Sequence, residues 1–546
     1  MRYRTSKSKP SNKFPKFIFI TGGVMSGLGK GIVASSVAKL LQLTGLKVTC
    51  TKIDPYVNYD AGTMNPTAHG EVFVTDDGGE CDMDMGNYER FLNTPMTKWH
   101  NITTGRIYSD VIRAEREGKY LGQCVQIIPH VTDVIKNSLK NLAKGYDVLV
   151  VECGGTVGDI ESLPFLESFR QMELEEGDSE TLFIHVTLAP ILDVVGEQKT
   201  KPTQHSVQEL RRIGIHPYIL AVRCQKPLNR EARHKISMFA SIREQCVISC
   251  HDCSSIYDVP EILKDQGIID VISDKLDLKN RNIKWTEWKK VTNSFFNFLG
   301  NVNIGIVGKY VNLPDSYVSV YQALQHSSAK LGRKLNVEWI DSEKFENGHK
   351  DELKVLKKLD GILVPGGFGA RGSEGIINSI NYAREKNIPF LGICFGFQLS
   401  LIEFARNQCD ITDASSQEFN PNDNNSLVKF MPEQEHALNL GGSMRLGKHD
   451  ITIVPRTLAN KIYQNKKIQR RHRHRYELNQ EYRQILEEKG MVLSGHSDMG
   501  RRIEILEIPS NKFFFAVQYH SEFSSIPGRP EEAFKAFITS ASRSEF

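Results

Sequence analysis

Cys394 sits in Leu391-Gly392-Ile393-Cys394-Phe395-Gly396-Phe397-Gln398, directly after the apolar pair Pro389-Phe390. A strand that meets a helix at Gly-x-Cys-x-Gly makes a tight elbow, whose glycines leave room for a strained nucleophile. It is the thiol counterpart of the serine elbow. Far downstream, Gln518-Tyr519-His520-Ser521-Glu522 places a histidine and a glutamate two residues apart. On a strand that spacing puts both side chains on one face, so Glu522 is expected to orient His520 while His520 takes the thiol proton. A cysteine alone reads as a small buried apolar residue; the elbow with its His-x-Glu partner reads as nucleophilic catalysis.

The elbow has a second half. Leu363-Val364-Pro365-Gly366-Gly367-Phe368-Gly369 follows another apolar run, and its glycines let backbone N–H groups approach an oxyanion. With the N–H of Phe395 this makes a donor pair of a kind worth about 10²–10³ in rate. Taken alone, Pro-Gly-Gly is only a turn. Together the motifs resemble the class I glutamine amidotransferase family, which hydrolyses glutamine to glutamate and ammonia. That resemblance implies that Gly367, Phe395, Gly396, Phe397, Gln398, Glu418 and Arg475 hold L-glutamine. Arg475 belongs to Arg470-Arg471-His472-Arg473-His474-Arg475, a run that out of context reads as a nucleic-acid patch. It is short and lacks aromatic interleaving, so no nucleic-acid partner is expected.

A second chemistry-bearing segment lies near the start. Thr21-Gly22-Gly23-Val24-Met25-Ser26-Gly27-Leu28-Gly29-Lys30-Gly31 follows a strand and opens a helix. Its glycines let N–H groups wrap phosphates at a helix start, with Lys30 reaching the terminal phosphates. The loop departs from the Walker pattern: its first glycine is one place too far from Gly29, and Gly31 replaces the Ser/Thr that would bind Mg²⁺. The metal then needs other oxygen ligands, and carboxylates at strand ends are the natural source. Glu152 ends the run Val150-Val151-Glu152, and Asp82 and Asp84 lie in Cys81-Asp82-Met83-Asp84-Met85.

The blocks Gly22–Gly31, His69-Gly70-Glu71-Val72-Phe73-Val74, Asn101–Arg106, Gly154–Glu161 and Lys199-Thr200-Lys201-Pro202-Thr203-Gln204-His205 resemble the CTP synthase family, in its order and with the amidotransferase part last. The resemblance implies a dethiobiotin-synthetase-like, P-loop-like domain that converts UTP to CTP. It assigns Gly27, Leu28, Gly29, Lys30, Gly31, Ile32, Asp84, His251, Asp252 and Cys253 to ATP, and Asp84 and Glu152 to Mg²⁺. Ser26, Lys199, Thr200, Lys201, Pro202, Thr203, Gln204 and Lys235 go to UTP. Asp159, Ile160 and Glu161 go to CTP as feedback inhibitor. His69 and Val72 fall beside an internal ammonia passage. GTP activation and a homotetramer, a dimer of dimers, are also implied, with filament formation left open.

The chemistry fits. ATP converts the uracil 4-oxygen into a phosphate leaving group, Lys30 and Mg²⁺ offset the developing charge, and ammonia made at Cys394 attacks C4. Ammonia free in neutral water is mostly ammonium, so an enclosed passage preserves the nucleophile. The departures are Gly27 where the family has serine, Ser521 where it has proline, and a shorter segment between Glu418 and Gly441. Cys246-Val247-Ile248-Ser249-Cys250-His251-Asp252-Cys253 also has the spacing of a thiolate cluster site, although Val247–Ser249 reads as strand. Rival readings are a cobyrinic or cobyric acid-type amide synthase and a catalytically inactive structural relative. The Lys199–His205 block argues against the first, and the full set of chemical residues argues against the second.

These groups must be held by α/β units. Phe17–Ile20, Val48–Ile53, Asp147–Glu152, Thr181–Ala189 and Tyr218–Val222 read as buried strands, alternating with helical stretches such as Ile32–Leu43 and Val131–Leu142. That order predicts a doubly wound parallel sheet over 17–276. A polar connection is expected over 277–300, then a flavodoxin-like amidotransferase domain over 301–546, ending in a helix near Pro530–Thr539. Residues 1–16 carry six Lys/Arg and no acid without an apolar segment, which reads as a disordered tail rather than a secretory signal, with an organelle transit peptide as the lesser alternative. With 69 Lys+Arg against 65 Asp+Glu the net charge is +4, too balanced for nucleic-acid binding. Ten scattered cysteines suit a reducing, cytoplasmic setting, and no apolar run approaches a membrane span.

Overall fold

A computed structural model describes residues 15–191, 196–279, 282–346, 352–423, 425–432 and 441–542. Nearly all of the basic tail, 1–14, and much of the segment between Glu418 and Gly441 lie outside the described residues. The chain divides into two compact units that are not contiguous in sequence: the part up to Tyr59 with His100–Trp285, and Asp60–Trp99 with the residues from Thr286 onward. The sequence gives no sign that Asp60–Trp99 leaves its neighbours.

The first unit is built on seven parallel strands: β1 (Lys16–Gly22), β2 (Val48–Asp54), β3 (Asn101–Thr103), β4 (Val148–Cys153), β5 (Thr181–Leu188), β6 (Ile219–Cys224) and β7 (Val247–His251). The five strands expected from apolar runs all lie within two residues of their expected bounds. Such runs are continuous rather than alternating because helices cover both faces of the sheet. The order is β3-β2-β4-β1-β5-β6-β7, with β1 paired to β4 and β5. The chain winds to one side of β1 and then crosses to the other. The crevice at a topological switch of this kind lies beyond the carboxyl ends of the strands, where the glycine loop follows β1. Helix α1 (Lys30–Leu43) takes up the expected helical stretch, and Thr132–Leu142 forms the second one.

In the second unit nine strands form one mixed sheet: β8 (Gly300–Gly308), β9 (Arg333–Asp341), β10 (Gly361–Val364), β11 (Phe390–Ile393), β12 (Arg445–Ile453), β13 (Lys467–His474), β14 (Val492–Ser497), β15 (Arg502–Glu507) and β16 (Phe514–Val517). Their order is β9-β8-β10-β11-β16-β15-β14-β12-β13. The first five are parallel and follow the flavodoxin-like sequence 2-1-3-4-5; the other four extend the sheet antiparallel. Alternate residues enter opposite cores. Leu391, Ile393, Phe515 and Val517 pack on one face, and Phe390, Phe514 and Ala516 on the other. The last helix is Glu532–Ala541. Within 277–300, Thr286–Ser294 is helical, with Trp288 buried against Phe91. Among the described residues no helix is long and apolar enough to cross a membrane.

Candidate active site

Cys394 lies between β11 and the helix Phe395–Gln408 with φ 51° and ψ −94°, a conformation that costs a non-glycine residue about 1–3 kcal/mol. The surroundings enforce it. The Cys394 N–H donates to Val517 O at 2.7 Å. A Cβ on Gly396 would sit 2.4 Å from Val364 O, and one on Gly392 would sit 2.9 Å from the Gly396 backbone. Both elbow glycines are therefore required for close packing, not only for flexibility.

His520 and Glu522 meet, but not as two residues on one strand face. β16 ends at Val517, the His520 N–H pairs with Arg471 O at 2.9 Å, and Ser521–Ser524 closes a 3₁₀ turn. Once the chain leaves the sheet, the turn rather than the strand pleat folds the carboxylate back, and Glu522 Oε1 lies 2.6 Å from His520 Nδ1. Burial lowers the imidazole pKa, but Glu522 and Cys394, which is hydrogen-bonded to the ring, outweigh it and hold the pKa well above its ordinary value. The sulfur is also touched by Gln518 Nε2 at 3.8 Å and can donate to Arg473 O at 3.7 Å.

Cys394, His520, Glu522, Gly367 and Val72 line one cavity of about 80 Å³. Of the other residues expected to hold glutamine, Glu418 accepts the Gly369 N–H at 2.8 Å, and Arg475 donates to Ser443 Oγ at 2.8 Å. Gln398 donates to Tyr476 O and Gln518 Oε1, each at 3.3 Å. The Phe397 side chain is fully buried in the core with Leu399 and Phe404, because helix periodicity turns it away from the elbow. Only its backbone is left for a ligand. His69 pairs with Asp82, 3.5 Å away, in the turn before the helix Asp84–Leu92. Asp84 itself opens that helix, and its Oδ1 accepts from Asn87 Nδ2 at 3.1 Å.

Two residues at the site went unread in the sequence. Lys309 follows β8, donates to Phe368 O at 3.0 Å and to Gly369 O, and lies 4.2 Å over the Phe395 ring; burial pulls its pKa down to about 8. The available signal was its place at the carboxyl end of a parallel strand, where sites of this fold gather. Arg473 lines the cavity. Its signal was the alternation Arg471-His472-Arg473-His474: on β13 the arginines take one face and the histidines the other. Arg471 pairs with Glu89 at 2.9 Å and Asp76 at 2.6 Å, and Arg473 with Glu80 at 2.8 Å. The run that resembles a nucleic-acid patch is thus spent on internal ion pairs.

The histidine face makes a hydrogen-bonded chain. His474 Nδ1 donates to Tyr476 O at 2.9 Å, so its Nε2 can accept from His472 Nδ1 at 3.1 Å. Burial holds both rings well below their ordinary pKa. Glu504 beside them is taken by Arg445 at 2.7 Å and Ser497 at 2.5 Å. Among the described residues this is the one grouping of metal-ligating side chains, and a cation there would face Arg445. Cys246, Cys250 and Cys253 form no such grouping.

In the first unit a cavity of about 470 Å³ is lined by Gly27, Leu28, Gly29, Ile32, His251, Asp252 and Cys253, which joins two segments expected to bind one nucleotide. Gly27 and Gly29 have φ of 75° and 85°, the left-handed region that favours glycine, and a Cβ on either would meet nothing within 4 Å. The Lys30 Nζ folds back to Gly155 O at 2.7 Å, while Gly31 is buried on α1. Glu152, 1% exposed at the end of β4, is 2.9 Å from Lys52 Nζ. Lys199 and Thr200 lead into the helix Lys201–Arg212. Thr203 is buried and donates to Leu188 O at 3.0 Å, Gln204 donates to Thr200 Oγ at 3.0 Å, and Lys199 pairs with Glu197 at 2.6 Å. Pro202 sits in the first turn, and Lys201 lies over the Phe239 ring. Ser26 and Lys235 are exposed. Asp159 accepts the Thr156 N–H at 2.7 Å, which fixes a turn that leaves Ile160 and Glu161 exposed. Ser162 begins the following helix without a side-chain cap, so Glu161 does not cap it.

Residues 16–278 match the model for the CTP synthase N-terminus, and residues 312–540 match the class I glutamine amidotransferase model. The chain is 51% identical to a CTP synthase of Thermococcus kodakarensis over 97% of its own length and 99% of that relative. It is 52% identical to one from Pyrococcus furiosus over 96% and 98% of the two chains. A solved structure described as "Trypanosoma brucei CTPS - glutaminase domain with bound acivicin" is 37% identical, covers 45% of this chain and 96% of its own, and has a TM-score of 0.43.

Proposed function

We propose that Cys394, His520 and Glu522 make ammonia and that the Lys30 loop serves the step that consumes it, from the premise that the chain belongs to the CTP synthase family. The enzyme aminates UTP to CTP with ATP as co-substrate and glutamine as nitrogen donor, a carbon–nitrogen ligase of pyrimidine biosynthesis. Full-length relatives of this one activity leave no support for a cobyrinic or cobyric acid-type synthase.

The observation that carries the division of roles is the strained Cys394 beside a His520–Glu522 pair at 2.6 Å. The sulfur attacks the glutamine amide carbon, and the N–H groups of Gly367 and Phe395 receive the oxyanion. His520 gives its proton to the departing nitrogen as the C–N bond breaks. Water, deprotonated by His520, then splits the thioester to release glutamate. Glu418 and Arg475 are the polar groups for the glutamine ends, and Val72 borders the way out for ammonia, with His69 beside it.

For the synthase reaction, Gly27–Ile32 with Lys30 would hold the ATP phosphates and His251–Cys253 the adenine. Lys199–Gln204, Ser26 and Lys235 would hold UTP. Phosphate passes from ATP to the uracil 4-oxygen, ammonia adds at C4, and phosphate leaves. Mg²⁺ fits the oxygen donors present: Glu152 is a buried carboxylate at a strand end, as a hard cation requires. Asp84 is the other carboxylate that the resemblance implies. The ion would neutralise charge on the nucleotide phosphates. GTP activation, homotetramer formation and a cytoplasmic setting, which suits a reduced catalytic thiol, complete the proposal. Incubating the protein with UTP, ATP, Mg²⁺ and glutamine should produce CTP and glutamate in equal amounts; glutamate without CTP would refute it.

Feedback by CTP is assigned to the turn at Asp159, Ile160 and Glu161. Cytosine offers an amino donor at position 4 where uracil offers an acceptor, so an exposed carboxylate favours CTP. Glu161→Gln should raise the CTP concentration for half-inhibition about tenfold, the equivalent of ~1.4 kcal/mol, with little change in KM for UTP. Unaltered inhibition, or an equal loss of UTP affinity, would remove Glu161 from this role.

A further inference from the structure

The cavity over Cys394 is closed in part by residues that precede it by more than three hundred positions. Pro66, Glu71 and Val72 line it together with Ser316, Val320 and the thiol. The two segments are stitched by polar contacts: the Glu71 N–H donates to Asp315 O at 3.0 Å and Ser316 Oγ donates to Pro66 O at 3.0 Å. Most telling is the Glu71 carboxylate. Its Oε2 accepts the Ser319 N–H at 3.1 Å and the Ser319 hydroxyl at 2.6 Å, and Arg90 donates to the same hydroxyl at 3.1 Å.

Ser319 is in the first turn of the helix Val318–Lys330, which has neither a side-chain cap of its own nor an acidic residue in that turn. Free N–H groups at a helix start need an acceptor, and an anion there is stabilised by the helix dipole. Glu71 supplies both, from a distant part of the chain. It is also buried, and burial raises its pKa to about 7. A carboxylate is costly to keep there, and a helix could have been capped more cheaply by its own Ser, Thr, Asn or Asp. What the arrangement adds is a fixed position for Pro66–Val72 against the glutaminase cavity.

We propose that Glu71 is a positioning residue that latches Pro66–Val72 onto the start of the helix Val318–Lys330, and so keeps ammonia released at Cys394 from escaping into water. The inference rests on the enclosed transfer of ammonia proposed above. It implies that Glu71 acts on how much ammonia is used, and not on how fast it is made.

The test measures CTP formed against glutamine consumed, with and without a solution scavenger of ammonia (glutamate dehydrogenase with 2-oxoglutarate and NADH, which itself makes glutamate, so that loss of glutamine is the readout). In Glu71→Ala, CTP per glutamine consumed should fall at least threefold, the scavenger should lower it further, and CTP formation from added ammonium should persist. Glu71→Gln, which keeps an acceptor oxygen, should lie between, and Ser319→Ala, which spares Glu71 and its burial, should leak in the same direction. If the scavenger already lowers the CTP yield of the unaltered protein, enclosed transfer itself is wrong. If the unaltered protein resists the scavenger and folded Glu71→Ala and Ser319→Ala do too, the latch alone is overturned.

Discussion

Cys394→Ala abolishes CTP formation from glutamine and leaves CTP formation from added ammonium running. Removing the sulfur removes the group placed to form the acyl intermediate, so the glutaminase rate should drop by about 10⁴-fold or more, as when a nucleophile is deleted from a triad. The fold should tolerate the change, since alanine keeps the Cβ that the elbow at φ 51° already accommodates. His520 and Glu522 remain in place, but an imidazole without a nucleophile to serve has no substrate bond to break. The Lys30 loop, the Glu152 carboxylate and the Lys199–Gln204 segment are untouched, so the ammonium reaction should stay within about twofold of normal, additivity for independent sites being the rule. The check is a pair of assays, glutamate and CTP, with each nitrogen source. A folded variant that loses both activities would show that the two chemistries are not separable as described.

Glu152→Gln should do the reverse: CTP formation fails with ammonium and with glutamine alike, by at least about 10²-fold, the scale of losing one electrostatic stabiliser. Basal glutaminase turnover without nucleotide should survive. The amide is a poorer ligand for a hard cation than the carboxylate, and Gly31 offers no hydroxyl in compensation. A second consequence needs control. Lys52 pairs with Glu152 at 2.9 Å and with Asp54 only at 4.0 Å, and breaking a buried ion pair costs about 3–5 kcal/mol. Thermal melting must therefore accompany the assay, and Asp84→Asn, read with the same control, should show the same loss of synthase activity. Normal CTP formation at ordinary Mg²⁺ in either variant would remove that carboxylate from metal binding.

The elements that were legible in the sequence are those whose signal is local. Buried parallel strands announce themselves as apolar runs, and the Cys394 elbow and the Gly27–Lys30 loop are short motifs whose glycines must stand where they do. The pairing of His520 with Glu522 was legible as a pair but not as a shape, because a period-of-two argument holds only while the chain remains in the sheet, and it leaves the sheet at Val517. The roles of Arg471 and Arg473 were hidden for another reason. Their partners Glu89, Asp76 and Glu80 lie nearly four hundred positions away, and no spacing rule reaches that far. Phe397 is a case of another kind: the resemblance assigns it to glutamine by position, and its ring is buried in the core, which leaves its backbone for that contact.

The assignment of Asp60–Trp99 to the later unit also sets a timetable for synthesis. The excursion leaves the first unit at a pinned neck, where Thr103 Oγ donates to Tyr59 O at 2.8 Å, so that unit can close while the intervening forty residues stand aside. Arg471 follows Glu89 by 382 positions, which at a ribosomal pace of about 5–20 residues per second means roughly 20–80 s without its partner. For that interval Glu89 lacks its ion-pair partner, whereas Glu71 meets Ser319 sooner, 248 positions on. A ribosome that stalls or a chain that ends anywhere before β13 therefore leaves residues in the first hundred without their partners.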